Sequence, residues 1–178
     1  LHNISGACYA GLGQLDVAVK RYEKSLAIKP DYAEAHNNLG GTLQDLGQLD
    51  TAVKSYEKAI AIKPDYPEAH YNLGNALKEL GQLDDAVKCY EKALTNKPDY
   101  VEAHYNLGFS LHRLGQLDSA VRSYKKVVAI KPDYAETHNN KILSVIYFFT
   151  NGQIPDAIDP LEALIKDNPN DALLFNMI

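Results

Sequence analysis

The sequence predicts an all-α protein, a solenoid of antiparallel helix hairpins, and three observations carry that prediction. The first is self-similarity. His36-Asn37-Asn38-Leu39-Gly40 returns as His70-Tyr71-Asn72-Leu73-Gly74 and as His104-Tyr105-Asn106-Leu107-Gly108, each time 34 residues on, and a period of about 20–50 residues marks a stacked-repeat architecture. The second is that apolar residues within a unit recur with the period of a helix rather than of a strand. The third is punctuation. Gly47 and Pro64 have equivalents at the same places in the neighbouring units, Gly81 and Pro98 among them.

Within the second unit, His36, Leu39, Leu43 and Leu46 fall on one stripe of a helix with about 3.6 residues per turn. That stripe predicts the first helix of a hairpin. Gly47, tolerant of positive φ, stands where this helix must stop, and Asp50 is placed to cap the next. Ala52, Val53, Tyr56, Ala59 and Ile60 form the stripe of the second helix, which Lys63-Pro64-Asp65 ends because proline disfavours α geometry at the residue before it. Small residues at Gly40, Ala52 and Ala59 predict close helix approach, with Tyr56 and the leucines filling the wider gaps. The same reading divides the chain into an N-terminally truncated unit over 1–32 and regular units over 33–66, 67–100 and 101–134. The unit over 135–171 is degenerate. There Lys141 and Ile142 replace the Leu-Gly pair, and Gly152-Gln153-Ile154-Pro155-Asp156-Ala157 arrives three residues late, which predicts a longer or bent first helix. Residues 172–178 read as the start of a further helix. The chain opens at Leu1 with neither Met nor a signal-peptide pattern, so the natural N-terminus is expected upstream.

Composition removes several function classes. With 18 Lys and Arg against 23 Asp and Glu, the 178-residue chain carries a net charge of -5 and lacks the basic excess that nucleic acid requires. Two cysteines make no disulfide scaffold and suit a reducing compartment, the cytoplasm. The longest apolar run, residues 142–149, contains Ser144 and Tyr147 and falls well short of the ~20 residues that span a bilayer, so no membrane insertion is expected. Five of the six histidines (His2, His36, His70, His104 and His138) occupy one repeat column. Neighbouring helices pack about 8–10 Å apart and zinc ligands sit about 2 Å from the ion, so a column cannot chelate. Cys8 and Cys89 lie in different units. The Leu46 to Asp50 segment is a repeated helix turn rather than a phosphate cradle, and Asp16, Asp50, Asp84 and Asp118 recur as architecture. No metal, no cofactor and no catalysis are expected.

The letters resemble the tetratricopeptide repeat, whose pattern is W-x2-L-G-x2-Y, A-x3-F and P in 34 residues. Here it runs His36-x2-Leu39-Gly40-x2-Leu43, Ala52-x3-Tyr56 and Pro64, with His for Trp and Leu for Tyr recurring at His70, Leu77, His104 and Leu111. The resemblance implies a right-handed superhelix with first helices lining its concave face, and a role in protein–protein interaction. The concave positions that vary between units are the ones hairpin packing does not fix. Two columns there stay constant: Glu34, Glu68, Glu102, Glu136 and Asn38, Asn72, Asn106, Asn140.

The asparagine column is similar to the ladder of O-linked N-acetylglucosamine transferase, where such residues hold the backbone of an extended polypeptide. An amide that both donates and accepts matches any peptide group. The alternatives are an Asn that only bridges adjacent first helices, or inheritance by repeat duplication. The candidate peptide-binding residues are therefore Asn38, Asn72, Asn106 and Asn140, with Glu68, Glu102, Tyr71, Asn75, Tyr105, Phe109, Arg113, Leu143 and Tyr147. Leu143, Ile146 and Tyr147 would join Tyr105 and Phe109 in an apolar end of the groove, unless the fifth helix simply packs on the last hairpin. The carboxylate clamp of chaperone-binding repeats is excluded, since Tyr71, Glu136 and Asn140 stand where it needs Lys and Arg. A protein or peptide partner is the leading expectation. The alternatives are the substrate-selecting arm of a larger glycosyltransferase-like enzyme and a scaffold that self-associates head to tail through its open ends.

Overall fold

A computed structural model describes residues 1–134, 142, 146, 151–153, 156, 160, 163 and 166. Among these, eight α-helices and no strand occur: α1 (His2–Gly11), α2 (Leu15–Ile28), α3 (Ala33–Asp45), α4 (Leu49–Ile62), α5 (Pro67–Glu79), α6 (Leu83–Asn96), α7 (Val101–Arg113) and α8 (Leu117–Ile130). The chain is an all-α helical repeat. It divides into two compact units, Leu1–Pro98 with α1 to α6 and Asp99–Ile178 with α7 and α8. In the first unit, α1 with α2, α3 with α4 and α5 with α6 form hairpins, and α2 packs on α3 and α4 on α5. The first helices also touch in sequence, α1 with α3 and α3 with α5, which gives this unit a face made of first helices alone. No helix among the described residues is long and apolar enough to cross a membrane.

Each hairpin turns on a glycine. Gly47 has φ +73°, and the amides of Gly47 and Gln48 donate to the carbonyls of Gln44 and Leu43, both at 2.8 Å. This crossed pair closes the carbonyls that the last turn of α3 leaves open. Gly81 repeats it after α5, donating to Lys78 O at 3.0 Å while Gln82 donates to Leu77 O at 2.9 Å. The expected cap differs. α4 starts at Leu49 after an uncapped Gln48, which places Asp50 inside the first turn. The tight glycine turn uses up the linker, so Asp50 meets the positive helix terminus by charge rather than by a cap bond.

Close packing explains the Leu-Gly pair. A Cβ on Gly40 would lie 2.6 Å from Tyr56 Cε1, and Gly74 stands in the same relation to Tyr90. Only hydrogen fits beneath these rings. Tyr56, Tyr90, Ala52 and Ala86 are fully buried. The histidine column does more than fill the slot usual for Trp. His36 Nε2 lies 2.9 Å from Pro30 O and His70 Nε2 lies 2.8 Å from Pro64 O. A carbonyl only accepts, so Nε2 carries the proton and ties each first helix to the exit of the preceding hairpin.

Candidate functional site

The first-helix face of the first unit is built from α1, α3 and α5. Asn38 and Asn72 stand there, half-buried, on consecutive first helices. Their amides are engaged: Asn38 Nδ2 donates to Asn3 Oδ1 at 3.3 Å, and Asn72 Nδ2 donates to Asn37 Oδ1 at 3.0 Å. The asparagines therefore do bridge adjacent first helices. The bridge uses one N–H of each, and no described residue donates to either Oδ1.

A second layer of polar contacts lies nearer the C-terminal ends of these helices. The buried Tyr56 hydroxyl donates to Gln44 Oε1 at 2.9 Å, and Gln44 Nε2 donates to Glu79 Oε1. In the next hairpin the Tyr90 hydroxyl donates to Asn75 Oδ1 at 2.9 Å. Burial, followed by Asp45 and Glu79 for Tyr56 and by Tyr71, Cys89 and Glu79 for Tyr90, holds both phenols well above the usual tyrosine range. They remain donors. Where Gly41 leaves Tyr56 without a near partner, Gln44 reaches across; where Asn75 replaces that glycine, it takes the bond. Tyr71 tilts against Tyr90 with ring centroids 6.0 Å apart. Burial lowers the Lys78 ammonium below its usual range, partly offset by Glu79. Glu68 faces Lys97 at 3.9 Å with both side chains near half exposed, a contact that leaves its charge available.

In the second unit, the Tyr105 ring is tilted against Tyr124 at 5.9 Å and Tyr134 at 5.8 Å. Phe109, Arg113 and Glu102 are exposed, and Asn106 is half-buried. Ile146 is 2% exposed, which corrects its expected place at the apolar end of a groove: its side chain is spent on packing. Asn140, Leu143 and Tyr147, and with them the bend expected in the fifth unit, lie outside the described residues.

The candidate residues read from the sequence left out the acceptors Asn3 and Asn37 and the linker Gln44. Repeat columns compare residues 34 apart, whereas the paired asparagines are 35 apart, so each bond joins two different columns. The signal that could have found them is Asn recurring at that longer offset. On the other side of α3, a groove of about 830 Å3 runs between α2 and α4, with Leu26, Ala27, Leu39, Leu43, Ala61 and Ile62 among its lining.

These hairpins and their first-helix face define a helical-repeat protein. Models of the TPR repeat match residues 6–47, 42–81 and 74–115, and the tetratricopeptide repeat model matches residues 101–134. The chain belongs to the tetratricopeptide repeat family. Solved structures similar to it include MamA, 24% identical with a TM-score of 0.74 over 94% of this chain and 96% of that one. YrrB, described as a TPR protein with an unusual peptide-binding site, is 20% identical with a TM-score of 0.72, covering 98% of this chain and 89% of that one. A tetratricopeptide repeat protein from Parabacteroides merdae is 20% identical with a TM-score of 0.74, covering 99% of this chain and 69% of its own. At these identities the likeness is one of fold. No curated protein matches the sequence.

Proposed function

We propose that the chain is a cytoplasmic protein-interaction module that binds an extended polypeptide segment on its first-helix faces and performs no reaction of its own. The observation that carries this reading is the pair Asn38 and Asn72, on consecutive helices, whose carbonyl oxygens have no donor among the described residues. Glu68, Tyr71 and Asn75 flank them in the first unit; Glu102, Tyr105, Asn106, Phe109 and Arg113 offer a corresponding surface in the second, to which Asn140, Leu143 and Tyr147 would add. The family resemblance and the peptide-binding site named for YrrB support the same class of partner. An extended chain advances about 3.3 Å per residue, and first helices pack about 10 Å apart, so roughly three ligand residues span one step of the ladder.

The test is selection from a random nonapeptide library, followed by calorimetry. Replacing Asn38 and Asn72 together by Ala should weaken the selected peptide by roughly 0.5–1.5 kcal/mol per lost hydrogen bond, with helicity retained. Unchanged affinity would move the site elsewhere.

A second reading, self-association, is favoured by one feature of α1 and the residue that follows it. Ile4 is 67% and Leu12 72% exposed, an apolar face of the kind that marks contacts. Light scattering over a wide concentration range decides it: growth of the mass supports association, and a constant monomer mass removes it.

A further inference from the structure

Four polar groups in the first unit form a hydrogen-bond chain whose direction is fixed at one end. Glu34 Oε2 accepts from the Tyr32 hydroxyl at 3.3 Å, Asn3 Nδ2 donates to the Tyr32 oxygen at 3.2 Å, and Asn38 Nδ2 donates to Asn3 Oδ1 at 3.3 Å. A carboxylate only accepts, so the single phenolic proton of Tyr32 goes to Glu34 and only lone pairs remain for Asn3. Asn3 must then turn its NH2 toward Tyr32 and its oxygen toward Asn38. Asn38 must answer with an N–H. Each assignment forces the next, which settles amide orientations that the electron-rich ends of an isolated carboxamide would leave ambiguous.

What is left of Asn38 is its Oδ1 and one N–H. Among the described residues, the one buried side-chain polar atom without a partner is Ser110 Oγ, so the Asn38 oxygen, lacking a donor, reaches solvent. Asn72 repeats the last bond of this chain, donating to Asn37 Oδ1, without the tyrosine–carboxylate anchor that orients Asn3. Asn3 and Asn37 themselves are only 6% and 9% exposed, too buried to be the main ligand contacts.

We infer that Asn3 and Asn37 are positioning residues that set the polarity of the binding face: they turn the carbonyl oxygens of Asn38 and Asn72 outward, so that this stretch selects backbone N–H donors. Tyr32 and Glu34 hold Asn3 in place. The inference rests on the peptide-binding reading above and adds to it which half of the ligand's peptide group is recognised. In the sequence the positions equivalent to Asn3 and Asn37 are Tyr71 and Tyr105 in the next two repeats and Asn139 in the fifth, so among the described residues a carboxamide at this position belongs to the first unit.

The experiment uses the nonapeptide selected against the unaltered protein and its set of single backbone N-methyl derivatives. Methylation should cost about tenfold in affinity at the two positions whose N–H groups meet Asn38 and Asn72, roughly three residues apart, and little at the positions between them. Asn37→Leu, which removes the acceptor, should weaken the parent peptide about three- to tenfold and flatten that pattern, while Asn37→Asp, which keeps an acceptor oxygen, should bind within about twofold of the unaltered protein. A readout independent of affinity is the side-chain amide resonance pair of Asn72, expected to be slow to exchange in the unaltered protein and Asn37→Asp and fast in Asn37→Leu. A peptide that needs Asn38 and Asn72 yet tolerates N-methylation everywhere, or Asn37→Leu that behaves like the unaltered protein, overturns this inference alone. A selected peptide indifferent to both asparagines removes the peptide-binding reading and this inference with it.

Discussion

Gly40 and Gly41 are adjacent on α3 and answer to different neighbours. A Cβ at Gly40 would meet the Tyr56 ring at 2.6 Å, whereas one at Gly41 would find only the Tyr56 hydroxyl at 3.8 Å. Gly40→Ala should therefore destabilise the fold by about 1–3 kcal/mol through overpacking. Gly41→Ala should stabilise it by roughly 0.5–1 kcal/mol, because alanine loses less backbone freedom on entering a helix. Urea midpoints of the two variants check this, and shifts of the same sign would contradict it. The buried phenols give a second residue-scale outcome. Tyr56 and Tyr90 are raised above their ordinary value of 10.0, so the native state holds these protons more tightly than the unfolded chain. Their contribution is complete below that value. Above it the unfolded chain ionises first, and stability should fall by up to about 1.4 kcal/mol per pH unit for each tyrosine. Urea titrations at increasing alkaline pH, paired with tyrosinate absorbance, measure this; stability that stays flat while tyrosinate appears would refute it. Gly40 and Tyr56 were legible in the sequence as a small and a large packing residue, though not as each other's contact. The His36 to Pro30 and Asn38 to Asn3 bonds were not, because they depend on which atoms meet across a stack.

At the scale of the element, glycine and proline wrote most of what could be read. Gly47 and Pro64 act through local backbone geometry, so the ends of α3 and α4 follow from sequence alone. Asp50 was misread because spacing cannot tell a cap from a first-turn position when only three residues separate the helices. Helices this short are marginal alone; each packs on its hairpin partner, and within the first unit α2 on α3 and α4 on α5 join one hairpin to the next. Removing one internal repeat, residues 67–100, should therefore shorten the array and lower its stability while leaving the helicity per remaining residue nearly unchanged. Circular dichroism and urea unfolding of the deletion check this; loss of all helicity would contradict repeat-by-repeat stabilisation.

For the whole molecule, the net charge of -5 and the first-helix glutamates Glu34, Glu68 and Glu102 favour basic or neutral ligands over acidic ones. A Lys-containing form of the selected nonapeptide should bind more tightly than its Glu counterpart, and added salt should narrow the difference, since surface charges are screened within about 10 Å at 0.1 M salt. Tighter binding of the acidic form would reverse the charge assignment. The family and the repeat boundaries were accessible from letters because every unit restates them, while the partner was not, because the varying positions that would specify it appear once each. The proposed binding mode puts the polypeptide on the first-helix face and not in the groove between α2 and α4. Its most direct test is the map of backbone amide resonances perturbed by the selected nonapeptide. Binding on the first-helix face shifts a cluster at Asn38, Tyr71, Asn72 and Asn75; shifts confined to Leu26, Ala27, Ala61 and Ile62, with the asparagines silent, would place the peptide in the groove instead.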